Sequence, residues 1–353
     1  LTRHSCNGIF TRPKLGVLIF RTLFVRTIAL ILIVSTPAWA RRDWKTYPAI
    51  TELPQPPVLL AVGDLHGDYD KAVKLLTGAG VIKPSPARPQ EVQWAAGSAT
   101  LVCTGDMIDK WNQGVEVLEM MQALQASAEA SGGRVVILLG NHEAEFLAAS
   151  GAGKKAVEFA DELRNQKIDP AAVASGIDSL GIGAWLRNRP VAAKIGDWFF
   201  CHAGNTYGIT AAALESQIDT GVDADGFATP ALIQPNSLLE AKLNPVPWWI
   251  MSSSVTQSTK PTSGLTRLSE YAAALGCKHI VMGHQPENVN FGNGLKRSAG
   301  QPFNYGGVLF LIDTGISRGV ADGRGIILRI SSDANSPVQT IDATGAVSPL
   351  PAR

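Results

Sequence analysis

The chain has 353 residues, with 31 lysines and arginines against 30 aspartates and glutamates, and only 17% of its residues are charged. A chain of that length can form one large domain and bury roughly 75% of the surface it exposes when unfolded. The near-cancelled charge leaves no basic field for a nucleic-acid backbone, so no nucleic-acid partner is expected.

Residues 1–40 differ from the rest. Arg21 and Arg26 precede an apolar run from Thr27 to Val34, and Ser35-Thr36-Pro37 leads to the small-residue pattern Ala38-Trp39-Ala40. This predicts a signal peptide cleaved after Ala40, and with it secretion across a membrane into a periplasm-like compartment. The two arginines break the stretch from Leu15 to Val34 into pieces too short for the ~20 apolar residues of a span, so no permanent membrane anchor is expected. Removing the leader removes Cys6 and leaves Cys103, Cys201 and Cys277, an odd set without Cys-x-x-Cys spacing. Buried thiols are expected, not a disulfide framework.

Residues 41–57 carry Pro48, Pro54, Pro56 and Pro57 and read as an extended linker. The main domain is expected over 58–332. Within it, Val58 to Val62, Thr100 to Thr104, Val135 to Leu139, Trp198 to Cys201 and His279 to Met282 read as buried strands. A helix is predicted over Gln113 to Ala130, where Val117, Met121, Leu124 and Ala128 share one face. Residues 143–189 read as two or three inserted helices, 205–264 as irregular, and Gly264 to Leu275 as a helix. Val308 to Ile312 and Gly325 to Ile330 follow as strands, and 333–353 as a polar tail.

Each of the five earlier strands ends in potential metal ligands: Gly63-Asp64-Leu65-His66-Gly67, Gly105-Asp106-Met107-Ile108-Asp109, Gly140-Asn141-His142-Glu143, His202-Ala203-Gly204 and Gly283-His284. Loops leaving the carboxyl ends of strands converge on one edge of an α/β sheet, so five separated segments can meet at one point. Four of the six histidines fall in these segments, and the neighbouring glycines suit sharp turns with positive φ. Carboxylate and imidazole ligands without thiolates point away from a closed structural zinc site.

The order and types of these residues resemble the calcineurin-like metallophosphoesterase superfamily, specifically its phosphoprotein-phosphatase branch with the bacterial Shewanella-like relatives, over Val58 to Ser317. The resemblance implies an α/β fold, a four-layer αββα sandwich of two mixed β-sheets with a dinuclear metal site at the carboxyl edge of the strands. It implies that Asp64, His66 and Asp106 hold one metal, and that Asp106 bridges to a second held by Asn141, His202 and His284. The ions would be divalent or trivalent, manganese, iron or zinc, and a hydroxide bridging them would attack phosphorus. His142 would protonate the leaving oxygen, oriented by Asp109. Glu143 would fix the loop. Substrates would be phosphoproteins, on Ser/Thr or Tyr, or small phosphate monoesters.

The chain departs from that pattern at Asp109-Lys110-Trp111, where the branch has Asp-Arg-Gly. Lysine keeps the charge but gives a point contact in place of a planar fork. Lys110, with Asn141, is expected to touch the substrate phosphate, with a solvated surface charge as the other reading for Lys110. Relatives usually supply another arginine between the fourth and fifth motifs, and only Arg267 stands there, in a predicted helix where a structural role fits it. Trp111, Trp248 and Trp249 would form either an apolar wall favouring an aromatic leaving group or ordinary core. Two further functions remain open. A dinucleoside polyphosphate hydrolase is suggested by His202-Ala203-Gly204, though Glu143 and export weigh against it. A metal-stabilised binding protein without turnover is opposed by the intact His142 and ligand set.

Overall fold

The computed structural model describes residues 42–353 apart from Ser85, Gly151, Lys154, residues 252–262, Asn293 and Ala334. The predicted leader lies outside the described residues, among which no helix is long and apolar enough to cross a membrane.

In chain order the strands are β1 (Ile50–Leu53), β2 (Val58–Val62), β3 (Thr100–Cys103), β4 (Arg134–Ile137), β5 (Ala192–Ile195), β6 (Trp198–Cys201), β7 (His279–Met282), β8 (Val289–Gly292), β9 (Leu295–Arg297), β10 (Phe303–Tyr305), β11 (Leu309–Leu311), β12 (Ile326–Ser331), β13 (Gln339–Asp342) and β14 (Val347–Pro349). One six-stranded sheet runs β1-β5-β6-β7-β11-β10 and the other β14-β13-β12-β2-β3-β4, while β8 and β9 pair separately. Both sheets are mixed. The pairs β2/β3, β3/β4, β6/β7 and β7/β11 are parallel, whereas β5/β6 and β12/β2 are antiparallel.

The sheets pack face to face through alternating residues. Leu59, Ala61, Val102, Val136, Leu138 and Leu328 of the second sheet meet Ala193, Ile195, Phe200, Val281, Phe310 and Ile312 of the first in one buried cluster. The intervening residues, such as Leu60, Val62, Leu101 and Cys103, turn outward into a larger cluster shared with the helices. Period-two burial on both faces therefore makes the helix-sheet-sheet-helix layering expected from the resemblance.

The helices are α1 (Tyr69–Gly78), α2 (Gly114–Ala130), α3 (Asn141–Ala149), α4 (Val157–Asn165), α5 (Pro170–Ser175), α6 (Ile182–Arg187), α7 (Ala211–Asp225), α8 (Pro230–Ile233), α9 (Trp248–Met251) and α10 (Gly264–Ala274). The predicted stripe of α2 is core: Val117, Met121, Leu124 and Ala128 are all fully buried. Its first two amides, of Gly114 and Val115, donate to the Glu162 carboxylate of α4 at 2.9 and 2.8 Å, so the insertion caps the helix it packs on.

Several sequence expectations need correction. The 41–57 segment is not merely an extended linker, because β1 pairs in parallel with β5. The Arg42 guanidinium also donates to the carbonyls of Arg187 and Arg189 at 3.0 and 2.9 Å, pinning the segment to the end of α6. Prolines beside an edge strand are compatible with its one-sided pairing, which the proline-rich composition concealed. The 333–353 tail contributes β13 and β14 to the second sheet. The 143–189 insertion forms α3 to α6, more helices than expected. The 205–264 region holds the 15-residue α7, capped by Thr210, whose side chain accepts from Ala213 N at 3.2 Å. Only Leu214 and Ile218 of α7 are buried, so its apolar periodicity is faint. Cys103, Cys201 and Cys277 are free and buried.

Candidate metal centre and active site

The two sheets each deliver part of one site. Asp64, Asp106 and Asn141 leave the ends of β2, β3 and β4, and His202 and His284 leave the ends of β6 and β7. The turns are sharp enough to put His66, Asp106, Asp109, Lys110 and His284 at positive φ, an unusual concentration of backbone strain for residues other than glycine. The flanking glycines divide the work. Gly67, Gly105 and Gly204 adopt positive φ, but Gly140 and Gly283 serve close approach: a Cβ on either would fall on the carboxylate of Asp106 or Asp64.

Asp106 Oδ2 is the centre of the arrangement. It lies 3.6 Å from His66 Nε2 and 3.3 Å from His202 Nε2. His66, Asp106 and His142 form one group with ligand atoms close enough to share a cation, and Asp106, His202 and His284 form a second. Asp64 belongs beside the first, with Oδ2 at 3.9 Å from His66 Nε2. Asn141 Oδ1 and His284 Nδ1 stand 2.8 and 3.0 Å from His202 Nε2. The sequence-predicted ligands Asp64, His66, Asp106, Asn141, His202 and His284 are thus brought together in one buried cluster.

The chemistry of these donors fits a cation. The Nδ1 atoms of His66 and His202 face the carbonyls of Ile108 and Thr104 at 3.1 and 2.9 Å, which can only accept a proton, so in the neutral rings both Nε2 atoms present lone pairs inward. Burial above all, with repulsion from His142, brings His66 down to about 4 against the pull of Asp106. Burial, then the neighbouring His202, hold His284 well below the usual imidazole range, and its Nε2 is buried without a hydrogen-bond partner. The Asp64 carboxyl is driven well up by burial and by the nearby carboxylates of Asp313 and Asp106. Crowded acids and inward lone pairs are what a positive ion would relieve.

His142 stands beside this cluster. Its Nδ1 bonds Asp109 Oδ2 at 2.8 Å, and its Nε2 lies 3.9 Å from Asp106 Oδ2. The other Asp109 oxygen accepts from Phe159 N at 2.8 Å, so α4 fixes the carboxylate that holds the ring. Burial disfavours the charged imidazole, but Asp106 and the Asp109 bond outweigh it and raise His142 above its ordinary value. Glu143 ties the site together from below. Its two oxygens accept from the amides of Asp106, Met107, Ile108 and Gly140 at 2.9, 2.7, 3.2 and 2.8 Å.

Lys110 is exposed, with its backbone amide donating to Glu158 at 2.6 Å and no side-chain partner among the described residues. Arg267 donates to the Trp249 carbonyl at 2.9 Å, in keeping with a structural role. Trp248 and Trp249 are 3% and 1% exposed, so the apolar-wall reading is corrected to core packing for both, with Trp248 Nε1 bonded to Ala203 O at 3.2 Å.

Three residues escaped sequence reasoning. Asp313 is buried against Asp64 and accepts from Gly315 N at 2.8 Å; it follows a predicted strand and precedes Thr314-Gly315, the same strand-end pattern as the other five. Arg297, buried inside the protein, spends its guanidinium on the carbonyls of Gln285, Glu287, Gln301 and Asp313 and so supports the turn carrying His284. Arg318 grips Asp68 at 2.9 and 2.6 Å and Asp70 at 2.8 Å, and its guanidinium lies 4.5 Å over the Trp111 ring. Nothing in the local sequence marks the last two.

The Arg318 strap makes a measurable claim. Burial alone would raise Asp68, but its bonds to Arg318 and Lys71 N hold the carboxyl below the ordinary value. A carboxyl depressed in the folded state contributes stability in full above its unfolded pKa of about 3.9, and the contribution is lost as pH falls through the lower folded value. Arg318→Ala is expected to cost about 1–2 kcal/mol at neutral pH, kept modest by the exposure of the arginine, and less below pH ~3. Urea denaturation at both pH values measures this; an equal loss at the two would remove the ion pair as its cause.

A model of the calcineurin-like phosphoesterase family matches residues 57–288, well over half of the chain. The chain belongs to that family. It is 47% identical over 96 residues to an uncharacterized protein of Schizosaccharomyces pombe, covering 27% of each chain. It is 34% identical over 93 residues to Shewanella-like protein phosphatase 2 of Arabidopsis thaliana, covering 26% of this chain and 22% of that one. Each match thus spans about a quarter of the relative's length. A symmetrical bis(5'-nucleosyl)-tetraphosphatase of Vibrio campbellii matches at 27% over 143 residues, 40% of this chain and 43% of that one. Among solved structures, the cold-active protein-tyrosine phosphatase of a psychrophilic Shewanella species shares the fold with a TM-score of 0.62, at 21% identity over 85% of this chain and 82% of the other.

Proposed function

We propose that this phosphoesterase hydrolyses phosphate monoesters, on phosphoproteins or small molecules, with two ions drawn from manganese, iron or zinc. The observation that carries this reading is the position of Asp106 Oδ2 between two histidine clusters, with the His142–Asp109 pair alongside. When bound, such a metal pair neutralises phosphate charge and makes hydroxide available near neutral pH. Asp64, His66 and Asp106 would hold one ion, and Asp106, Asn141, His202 and His284 the other. Asp109 keeps the proton on His142 Nδ1, and in the protonated ring Nε2 donates to the departing oxygen. Lys110 and Asn141 would steady the phosphate. The leader pattern of residues 1–40 supports action outside the cytoplasm, in a periplasm-like compartment.

A second reading, hydrolysis of dinucleoside polyphosphates, is favoured by His202-Ala203-Gly204 together with the tetraphosphatase relative. Purified protein loaded in turn with each metal, then assayed on an aryl phosphate, phosphopeptides and diadenosine tetraphosphate, separates the two. Preference for the tetraphosphate would replace the first reading by the second. Absence of turnover on every substrate, with metal bound, would overturn both.

A further inference from the structure

The end strands β1 and β4, one from each six-stranded sheet, border a cavity of about 360 Å3. Thr51 lines it from β1, and Val135, Val136 and Ile137 line it from β4. No residue assigned to the metal centre takes part in its walls.

The wall made by β4 is an unfinished ladder. Arg134 N and Leu138 N donate to Ala99 O and Cys103 O, so the alternation of a parallel pair turns Val135, Ile137 and Leu139 away from β3. Leu139 N is satisfied by Pro190 O at 2.9 Å, and Val135 O accepts from Gln125 Nε2 at 3.0 Å. Between those two closures the amides of Val135 and Ile137 and the carbonyl of Ile137 have no partner among the described residues, although Val135 and Ile137 are 3% and 0% exposed. Pro190 has no N–H to offer that carbonyl. Buried backbone groups left in this condition are uncommon and call for a partner in strand register.

A cation stands beside the same edge. Gln125, whose Nε2 meets Val135 O, accepts through Oε1 from the Arg189 guanidinium at 2.8 Å. Arg189 also donates to Trp185 O at 2.9 Å, is 8% exposed, and has no carboxylate partner among the described residues. Burial brings it down to about 10. The surrounding charge is positive as well, since Arg189 and Arg187 both work against the charge of Arg42, with Asp219 supporting it. At the exposed margin Glu129 and Arg134 offset each other.

We infer that this cavity binds the carboxyl-terminal end of a short extended peptide, its carboxylate meeting Arg189 and its last amide groups pairing with Val135 and Ile137. A peptide supplies the carbonyl and N–H groups that the open ladder lacks, and its terminal carboxylate supplies the charge that Arg189 lacks. The volume lies at the small end of the ~300–1,000 Å3 usual for ligand pockets. With the edge closed at Leu139 by Pro190, it suits the last two or three residues of a chain and not a long added strand.

The test adds an equimolar pool of N-acetylated tripeptides with free carboxyl termini to the metal-loaded protein and follows amide hydrogen exchange residue by residue by NMR. Exchange at Val135 and Ile137 should slow about tenfold or more, while Val136, already facing β3, should change little. The same pool with carboxamide termini should bind roughly tenfold more weakly, as for loss of one charge-assisted contact, and Arg189→Gln should weaken the free-carboxyl pool to a similar degree. Because Arg189 also braces Trp185 and Gln125, Thr51→Trp serves as a second variant: it fills the cavity with the arginine in place and should abolish the protection. No protection of Val135 and Ile137 by the free-carboxyl pool overturns the inference. So does equal protection by acetate alone or by the carboxamide pool, or protection that persists in Thr51→Trp. Ester hydrolysis plays no part in these readouts, so the inference and the hydrolytic reading can fail separately.

Discussion

His142→Ala is expected to lower turnover of an alkyl phosphate by roughly 10²–10⁴-fold, the usual contribution of a positioned general acid. The loss should shrink greatly on an aryl phosphate with an acidic phenol, because that oxygen departs without needing a proton. The reason is geometric. Asp109 Oδ2 holds Nδ1 at 2.8 Å, leaving Nε2 as the ring nitrogen directed at the cluster, 3.9 Å from Asp106 Oδ2. Asp109→Asn should follow the same leaving-group trend with a smaller loss, since the ring stays but its charged form loses support. Metal content measured alongside distinguishes this from ligand loss, because His142 also stands within ligand distance of His66 and Asp106. Equal losses on alkyl and aryl esters at full metal occupancy would remove His142 as the proton donor.

Glu143→Gln should be the most damaging substitution among residues that touch neither metal nor substrate. The carboxylate accepts from four backbone amides, of Asp106, Met107, Ile108 and Gly140, while burial and Asp106 push its carboxyl up to about 7. An amide side chain replaces one acceptor oxygen with a donor, setting N–H groups against N–H groups in a fully buried space. A loss of about 2–5 kcal/mol is expected. Because these amides shape the turns carrying Asp106 and Asn141, metal affinity should fall with stability. Denaturant midpoints and bound-metal stoichiometry check both, and a midpoint shift worth less than ~0.5 kcal/mol would mean that the loop does not depend on this side chain.

The site was legible in the sequence to the extent that its residues obey a local rule. Strands of four or five residues, each stopping at an acid, amide or histidine with a glycine within two residues, could be read one by one, and Asp64, Asp106, Asn141, His202 and His284 all follow that rule. Asp313, two residues before Gly315, fits the rule as well but has no counterpart among the ligands that the resemblance implies. Arg297 and Arg318 were not legible. Their partners lie elsewhere in the fold, carbonyls for one and Asp68 with Asp70 for the other, and an arginine's sequence neighbours say nothing about such contacts. The strand β1 was missed because parallel pairing with β5, rather than its own composition, makes it a strand. Trp248 and Trp249 could be assigned to core only once their 3% and 1% exposures were known.

Asp64, Asp106 and Asn141 ride on one sheet and His202 and His284 on the other, so the cluster doubles as a gauge of how the two sheets are aligned. Residues such as Ala61, Val102 and Val281 lie between the sheets and never meet a ligand. Enlarging one of them would slide one leaf against the other, and the first casualty would be the spacing of lone pairs at the edge. Loss-of-function variants in this chain should therefore map to two places, the strand ends and the hidden plane between the leaves, and the second group should present as proteins that fold but arrive short of metal.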